Sequence, residues 1–274
     1  MPELPEVETI RAALDPLLRG RLVTAARAHP SAKFSAAPGA IGHRVEGVRR
    51  RGKYLLVDLE PAAGTDAGAG RRELVVHLGM TGQLGPDLAR DDPHTRAWWE
   101  LDDGGHLTYR DVRRFGRIAV VPHGDHRSLP TLAALGPEPF GPDFTPEGLW
   151  RALARSRARV KTQLLGQRVV AGVGNIYADE ALWRAGIHPG ARRVGPSRAE
   201  RLHAAVRHVL AAGLANGGTT LRDYRTVTGE PGRHQDALAC YGRAGRPCPR
   251  CGALLRRAVV DGRGTTWCPT CQRT

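Results

Sequence analysis

Long apolar runs are missing from this chain of 274 residues, and none approaches the roughly 18 residues that a membrane span requires. The opening stretch is acidic rather than basic and has no apolar core, so no secretory signal is expected there. Acid is in short supply, with 27 Asp and Glu against 41 Lys and Arg and a formal net charge of +14. Such an excess attracts polyanions, nucleic acid first among them. Lysine is rarer still. Lys33, Lys53 and Lys161 are the only three, and arginine supplies all the other basic side chains. Each surviving lysine therefore marks a position where an amine is of interest. Cysteine is nearly absent until the end, where four of the five fall within residues 248–271. That spacing excludes a secreted disulfide framework and suits a metal. With 41% hydrophobic residues the chain can bury a core, and its length suits two domains and a small third module.

What is present begins at the first eight residues, Met-Pro-Glu-Leu-Pro-Glu-Val-Glu. Val7, Ile10, Leu14 and Leu17 recur at helical spacing and Gly20 ends the run, so the N-terminus opens directly into a packed helix. If Met1 is removed, Pro2 presents a secondary amine. An α-amino group titrates near 7.7–8.0 against about 10.4 for lysine, so a useful fraction is neutral and nucleophilic. Glu3 could then exchange protons with a substrate. The plainer reading is a helix-start proline with glutamates on the positive end of the helix dipole.

Residues 21–28, 45–48, 53–59 and 74–78 read as strands. Lys53 follows Arg49–Gly52 at the mouth of one of them, either as a solvated edge lysine or as an amine facing DNA. His77–Gly82 places Met80 between two glycines, as a core residue or as an apolar wedge for a base step. Asp102–Gly105 marks a hairpin between Trp98–Leu101 and His106–Tyr109. Asp111–Arg117 sets arginine beside Phe115, either a probe of the base stack or a structural pair. Prolines at 130, 137, 139 and 142 mark a linker, after which the period turns helical. Thr145-Pro146-Glu147 starts a helix. Six positive charges from Arg151 to Arg168, with no acid among them, suggest a face for phosphates. Asn175, after VVAGVG, is expected to cap a helix and donate to a phosphate, Ser197-x-x-Glu200 to form a capping box, and Asn216-Gly217-Gly218 to stop that helix. Residues 226–240 read as a polar, mobile loop. Cys248-x-x-Cys251 and Cys268-x-x-Cys271 form two knuckles of a closed, four-coordinate zinc ribbon. The hairpin between them offers Arg263 at its tip, and residues 240–274 carry seven Arg against one Asp. Cys240 is expected to be a buried thiol.

MPELPEVE, RRGKYLL, HLGMTGQL, DVRRFGR, VVAGVGNIYADEALWRAGIHP, GGTTLRDY and YGRAGRPCPRC…CPTC together resemble the formamidopyrimidine-DNA glycosylase / endonuclease VIII family of base-excision repair enzymes, on the formamidopyrimidine side. The resemblance runs nearly end to end. It implies an α+β multidomain fold: an N-terminal β-sandwich with its helix (1–122), a helix–two-turn–helix domain (126–225) and a β-hairpin zinc finger (240–274), with DNA across the cleft. It implies a bifunctional glycosylase and AP lyase that flips an oxidised purine out of damaged duplex DNA. Pro2 would be the nucleophile, Glu3 the proton donor and acceptor, Lys53 the lysine of β-elimination and Arg263 the arginine of δ-elimination. Met80, Arg113 and Phe115 would fill the vacated stack. His94, Arg113, Arg157, Lys161 and Asn175 would contact DNA, and Cys248, Cys251, Cys268 and Cys271 would hold one structural Zn2+. A monomer in the bacterial cytoplasm, with the nucleoid, is expected. Two departures stand out. Val112 replaces the proline of a DPRRFG motif. Residues 230–237 lack the aromatic pair expected in a loop that covers the flipped base. The same chemistry on oxidised pyrimidines and a non-catalytic damage binder are the alternatives.

Overall fold

A computed structural model describes residues 2–64, 70–221 and 224–274. The chain divides into two compact units. The first comprises residues 1–133 and 217–233, the second residues 134–216 and 234–274.

The first unit opens with α1 (Leu4–Leu18). Leu4, Val7, Ile10, Leu14 and Leu18 line its buried face, each no more than 4% exposed. Five such side chains contribute on the order of 10 kcal/mol of burial, an upper bound because unfolded chains already bury some surface. Pro5 sits in the first turn, where its missing N–H costs nothing. Gly20 follows at φ +79, a conformation that ends the helix at little cost. Two four-stranded antiparallel sheets form a sandwich. One has the order β2-β3-β4-β8, from His43–Arg51, Tyr54–Pro61, Arg72–His77 and Arg117–Pro122. The other is β1-β6-β7-β5, from Val23–Ala28, Thr95–Leu101, His106–Arg110 and Gln83–Gly85. Trp99 lies in the shared core and donates its indole N–H to the Ala37 carbonyl at 3.0 Å. The short helix α2 (Pro130–Ala133) ends this part of the unit.

One acidic cluster in this unit is structural. Asp58 and Glu73 are 8% and 1% exposed, and Arg49 bonds both at 2.6 Å. His126 bonds the remaining Glu73 oxygen, also at 2.6 Å. The carboxylates are thus already neutralised, as buried acids must be.

Residues 217–233 join the first unit although 217–225 fall within the stretch read as helical domain. Tyr224 and Val227 enter its core, and the Thr219 N–H donates to Glu6 at 2.7 Å.

The second unit holds α3 (Pro146–Ala154), α4 (Val160–Leu165), α5 (Asn175–Ala185), α6 (Pro196–Ala215) and the hairpin β9 (Arg256–Val260) and β10 (Arg263–Trp267). Thr145 caps α3 by accepting from the Gly148 N–H at 3.0 Å. The other two cap expectations are corrected. Gly174 is the cap of α5 and Asn175 its first residue; Gly195 precedes α6, with no side-chain cap. Asn216 does end α6, and Gly217 and Gly218 follow at φ +67 and +85. Helix α5 is buried nearly all round, Asp179 and Glu180 included, as befits a central helix. It lies so close to α6 that a Cβ on Gly213 would stand 2.4 Å from the Tyr177 hydroxyl.

Candidate nucleic-acid interface and zinc centre

Pro2 and Glu3 are buried at the head of α1. Glu6 holds them there. One of its oxygens accepts from the Glu3 N–H at 2.7 Å, in a capping box, and the other from Thr219. A Cβ on Gly218 would stand 2.8 Å from the Glu6 Cγ, so that close approach needs glycine. From the sequence Glu6 reads as a dipole-friendly acid; its structural role depends on a partner 213 residues away. The capping-box spacing, Glu3 and Glu6, was the available signal.

Lys53 occupies the turn between β2 and β3 and is 2% exposed, so it is not a solvated edge lysine. Its charge reaches His77. Burial, then Lys53, then Arg117 lower the His77 pKa to about 4, which keeps that imidazole neutral. His77 also packs on Tyr54 and accepts from the Gly79 N–H at 3.2 Å.

The Met80 loop and the Arg113–Phe115 loop form one piece. Asp111, fully buried, accepts from the Thr81 hydroxyl at 2.6 Å, the Gly116 N–H at 2.8 Å and the Tyr109 hydroxyl at 3.3 Å. The Thr81 hydroxyl in turn accepts from the Arg113 N–H at 3.3 Å. Glycines let the backbones touch: a Cβ on Gly79 would meet the Gly116 nitrogen at 2.5 Å, and one on Gly116 would meet the Tyr109 hydroxyl at 1.7 Å. Between these ties Phe115 stands 54% exposed, with the Arg113 guanidinium 5.5 Å from its ring centre. Val112 is exposed beside them and Met80 half-buried. Arg96 extends the network to His94, donating to the Asp111 carbonyl at 2.9 Å and lying 3.4 Å from the His94 Nδ1.

In the loop expected to be mobile, Thr226 donates its N–H to the Glu230 carbonyl at 2.8 Å, and the Gly232 N–H donates to the Thr220 hydroxyl at 2.9 Å. His234–Ala237 is a short 3-10 turn, with His234 stacked on Tyr177.

In the second unit Arg157 and Arg263 are exposed, as a phosphate contact requires. Lys161 departs from expectation. It is 0% exposed, and its ammonium pairs with Asp179 at 2.7 Å and bonds the Thr265 hydroxyl at 2.8 Å. A charge so enclosed serves the interior rather than a phosphate. Asn175 likewise turns its amide inward, to the Gly264 carbonyl at 3.0 Å. Asp179 also accepts from the Thr266 N–H at 2.9 Å, and burial raises its pKa to about 6 despite Lys161. Glu180 accepts from three successive N–H groups, those of Ala239, Cys240 and Tyr241.

The thiol sulfurs of Cys248, Cys251, Cys268 and Cys271 lie within 4.8 Å of one another, and Cys251 and Cys268 are 3.5 Å apart. Tetrahedral zinc with bonds of about 2.3 Å needs sulfur separations of about 3.8 Å, so the set fits one ion. N–H donors to sulfur complete it: Trp183 to Cys248 at 3.4 Å and the Cys271 backbone to Cys268 at 3.3 Å. Burial raises the Cys248 thiol, but the Trp183 and backbone donors outweigh it and bring the group to about 6. Cys240 stays outside the set. Burial pushes its thiol up, and it bonds the Thr266 carbonyl.

A β-sandwich with a buried N-terminal helix head, a helical unit and a four-cysteine finger define a zinc-finger protein built for nucleic acid. Three family models match along the chain: the formamidopyrimidine-DNA glycosylase N-terminal domain over residues 1–118, the H2TH domain of the same enzymes over 135–225, and a zinc finger found in FPG and IleRS over 245–274. The chain is 46% identical to the formamidopyrimidine-DNA glycosylase of Deinococcus radiodurans, covering 99% of this chain and 97% of that protein. It is 48% identical to the enzyme of Thermus thermophilus, covering 99% and 98%. The crystal structure of a Thermus thermophilus MutM (FPG) protein superposes with a TM-score of 0.89 at 47% identity, over 99% of this chain and 98% of the other. A MutM bound to DNA containing carbocyclic 8-oxo-G superposes at 0.86, with 33% identity and full coverage of both chains. The chain belongs to the formamidopyrimidine-DNA glycosylase family.

Proposed function

We propose that this protein is a bifunctional DNA glycosylase and AP lyase that removes oxidised purines, 8-oxoguanine and formamidopyrimidines, from duplex DNA. The carrying observation is the head of α1, where Glu6 fixes a buried Pro2 and Glu3 in place. A secondary amine held there, once Met1 is gone, is oriented before substrate arrives. The amine attacks C1′, the C1′–N bond to the base breaks and the base leaves with a proton. The nitrogen then gives up its own proton, its lone pair forms the C1′=N+ bond of an iminium ion, and the C1′–O4′ bond breaks with O4′ taking a proton. Glu3 is the proton donor and acceptor. Lys53, buried beside a neutral His77, assists abstraction of the 2′ proton in β-elimination, and Arg263 assists δ-elimination. Phe115 and Arg113, exposed on a rigid loop, enter the space left by the flipped base with Met80 beside them. His94 and Arg157 are the phosphate contacts, and Asn175, whose amide also bonds the Gly264 carbonyl, offers its backbone N–H at the start of α5.

Solved relatives support the substrate class, since one is a Lactococcus lactis FPG with DNA containing Fapy-dG and another is a MutM with 8-oxo-G DNA. A zinc ion on Cys248, Cys251, Cys268 and Cys271 would supply no chemistry to the reaction and would hold the finger that carries Arg263. Among the described residues no helix is long and apolar enough to cross a membrane. A monomer acting in the bacterial cytoplasm, at the nucleoid, is the setting we infer. We take the domains as 1–122, 126–225 and 240–274, with residues 217–225 packed into the first unit.

Borohydride trapping tests the reading. Incubation with an 8-oxoguanine:cytosine duplex should give a covalent protein–DNA band that Pro2→Gly abolishes. A band with an abasic duplex but none with 8-oxoguanine would retain the lyase and reassign the base, toward oxidised pyrimidines. No band with either, from protein shown by mass to begin at Pro2, would leave a damage-binding protein.

A further inference from the structure

The hairpin that presents Arg263 is fastened on both sides of that residue. Val260 pairs with Arg263, so Asp261 and Gly262 are the two turn residues, at φ +46 and +77. Positive φ at both positions is the type I′ geometry, which Asn-Gly or Gly-Gly would form as readily as Asp-Gly. The turn alone therefore does not need a carboxylate. Yet the Asp261 carboxylate reaches α4. One oxygen accepts from Arg159 Nη1 at 3.0 Å, and the other accepts from the Thr162 hydroxyl. Arg159 is the residue preceding α4 and Thr162 lies in its first turn. On the other side of Arg263, the Gly264 carbonyl accepts from Lys161 at 3.2 Å and Asn175 at 3.0 Å. Arg263 itself is exposed between these anchors.

We propose that Asp261 is a positioning residue: by tying the hairpin turn to the start of α4, it fixes where Arg263 delivers its guanidinium for strand cleavage. This rests on the lyase reading above. In δ-elimination a base removes H4′, the C4′–H electron pair becomes the C4′=C5′ bond, and the C5′–O bond breaks with its pair leaving on the phosphate. A guanidinium held at that phosphate balances the charge that departs. A hairpin turn whose residues 261–263 are all exposed would otherwise spread Arg263 over many positions, and misplacement by about 1 Å can cost about 100-fold in rate. The arrangement also gives Arg159 a task. With Lys161 it is spent on the hairpin, so these two of the charges between Arg151 and Arg168 serve the finger, while Arg151 pairs with Glu147.

The test uses zinc-loaded protein and an end-labelled 8-oxoguanine:cytosine duplex. Asp261→Gly keeps the left-handed turn and removes the carboxylate; Asp261→Asn keeps an acceptor for Thr162 and loses the charge; Arg263→Ala is the reference. Base release should stay within about twofold of the parent, and the share of 3′-phosphate over 3′-unsaturated aldehyde ends should fall at least about fivefold in Asp261→Gly and less in Asp261→Asn. Hydrogen exchange at residues 260–265 should quicken about tenfold in Asp261→Gly, with one zinc still bound. Unchanged exchange overturns the tie whatever the products are. An unchanged end ratio in Asp261→Gly, where Arg263→Ala lowers it, overturns the positioning role. If Arg263→Ala itself leaves the ratio unchanged, the role given to Arg263 falls and the positioning role with it, while the glycosylase reading stands on its base release.

Discussion

A neutral His77 beside Lys53 should make the first unit acid-sensitive in a way that one substitution isolates. Free histidine titrates near 6.5 and His77 at about 4, lowered by burial first and by Lys53 and Arg117 next. The folded state refuses a proton that the unfolded chain accepts, so stability falls as pH drops below about 6.5 and levels off below about 4. The full difference corresponds to about 3.4 kcal/mol, and about 2.5 kcal/mol of it is lost between pH 7.5 and pH 4.5. His77→Gln supplies the control, because its side-chain carbonyl can replace Nδ1 as acceptor for the Gly79 N–H without titrating. Urea unfolding of both proteins at the two pH values should show the parent losing about 2.5 kcal/mol more than the variant. Parallel losses would refute the reasoning. So would an imidazole resonance from His77 that titrates near 6.5 in the folded protein. The same result bears on function, since a charged His77 would set a second cation against Lys53.

Three further outcomes follow from particular contacts. Lys161→Met leaves Asp179 buried without its partner and should cost about 3–5 kcal/mol, most of it recovered when Asp179→Leu is added; additive losses in that cycle would show the pair is not coupled. Gly116→Ala would press a methyl group to 1.7 Å from the Tyr109 hydroxyl, and should lower stability by more than about 2 kcal/mol or displace the Phe115 loop; a urea midpoint within error of the parent, with unchanged damage binding, would refute the tight junction. Stripping zinc with a chelator should change the fluorescence of Trp183, whose indole bonds the Cys248 sulfur, and abolish DNA cleavage, both restored by one equivalent of zinc; metal-free protein with full activity would refute a structural role.

Local physics explains what could be read from the residues alone. The α1 stripe has helical period and a glycine stop, the β3 strand is a compact apolar run, and the cysteine knuckles carry their spacing with them. The missed features all depend on partners far along the chain. Lys161 sits in an arginine-rich run and looks exposed; Asp179, on another helix, and Gly264 and Thr265, on the finger, make its burial tolerable. Glu6 looks like one of three helix-start acids until Thr219 arrives at its second oxygen. Asn175 resembles a cap because it follows a glycine run, whereas Gly174 takes the cap and frees the amide to reach Gly264. Periodicity cannot report such pairings, because it records which face is apolar and not what the polar exceptions meet.

Those pairings also determine what the basic excess can do. A count of charge treats every arginine alike, but Arg49 is consumed by Asp58 and Glu73, Arg159 by Asp261, and Arg96 by the backbone around Asp111. Each is a fixed tie. Two of them hold segments that carry an exposed or half-buried candidate: Arg159 the hairpin of Arg263, Arg96 the loop of His94 and the start of the loop bearing Arg113 and Phe115. Asp111 then joins that loop to the one bearing Met80. The consequence is that two groups of basic residues should differ in kind. Removing an exposed arginine such as Arg157 should lower affinity and flatten the salt dependence by about one phosphate contact. Removing Arg96 or Arg159 should leave the salt slope nearly unchanged and alter what happens after binding. A variant of either tie whose only defect is a shallower salt slope would show that these side chains face DNA after all.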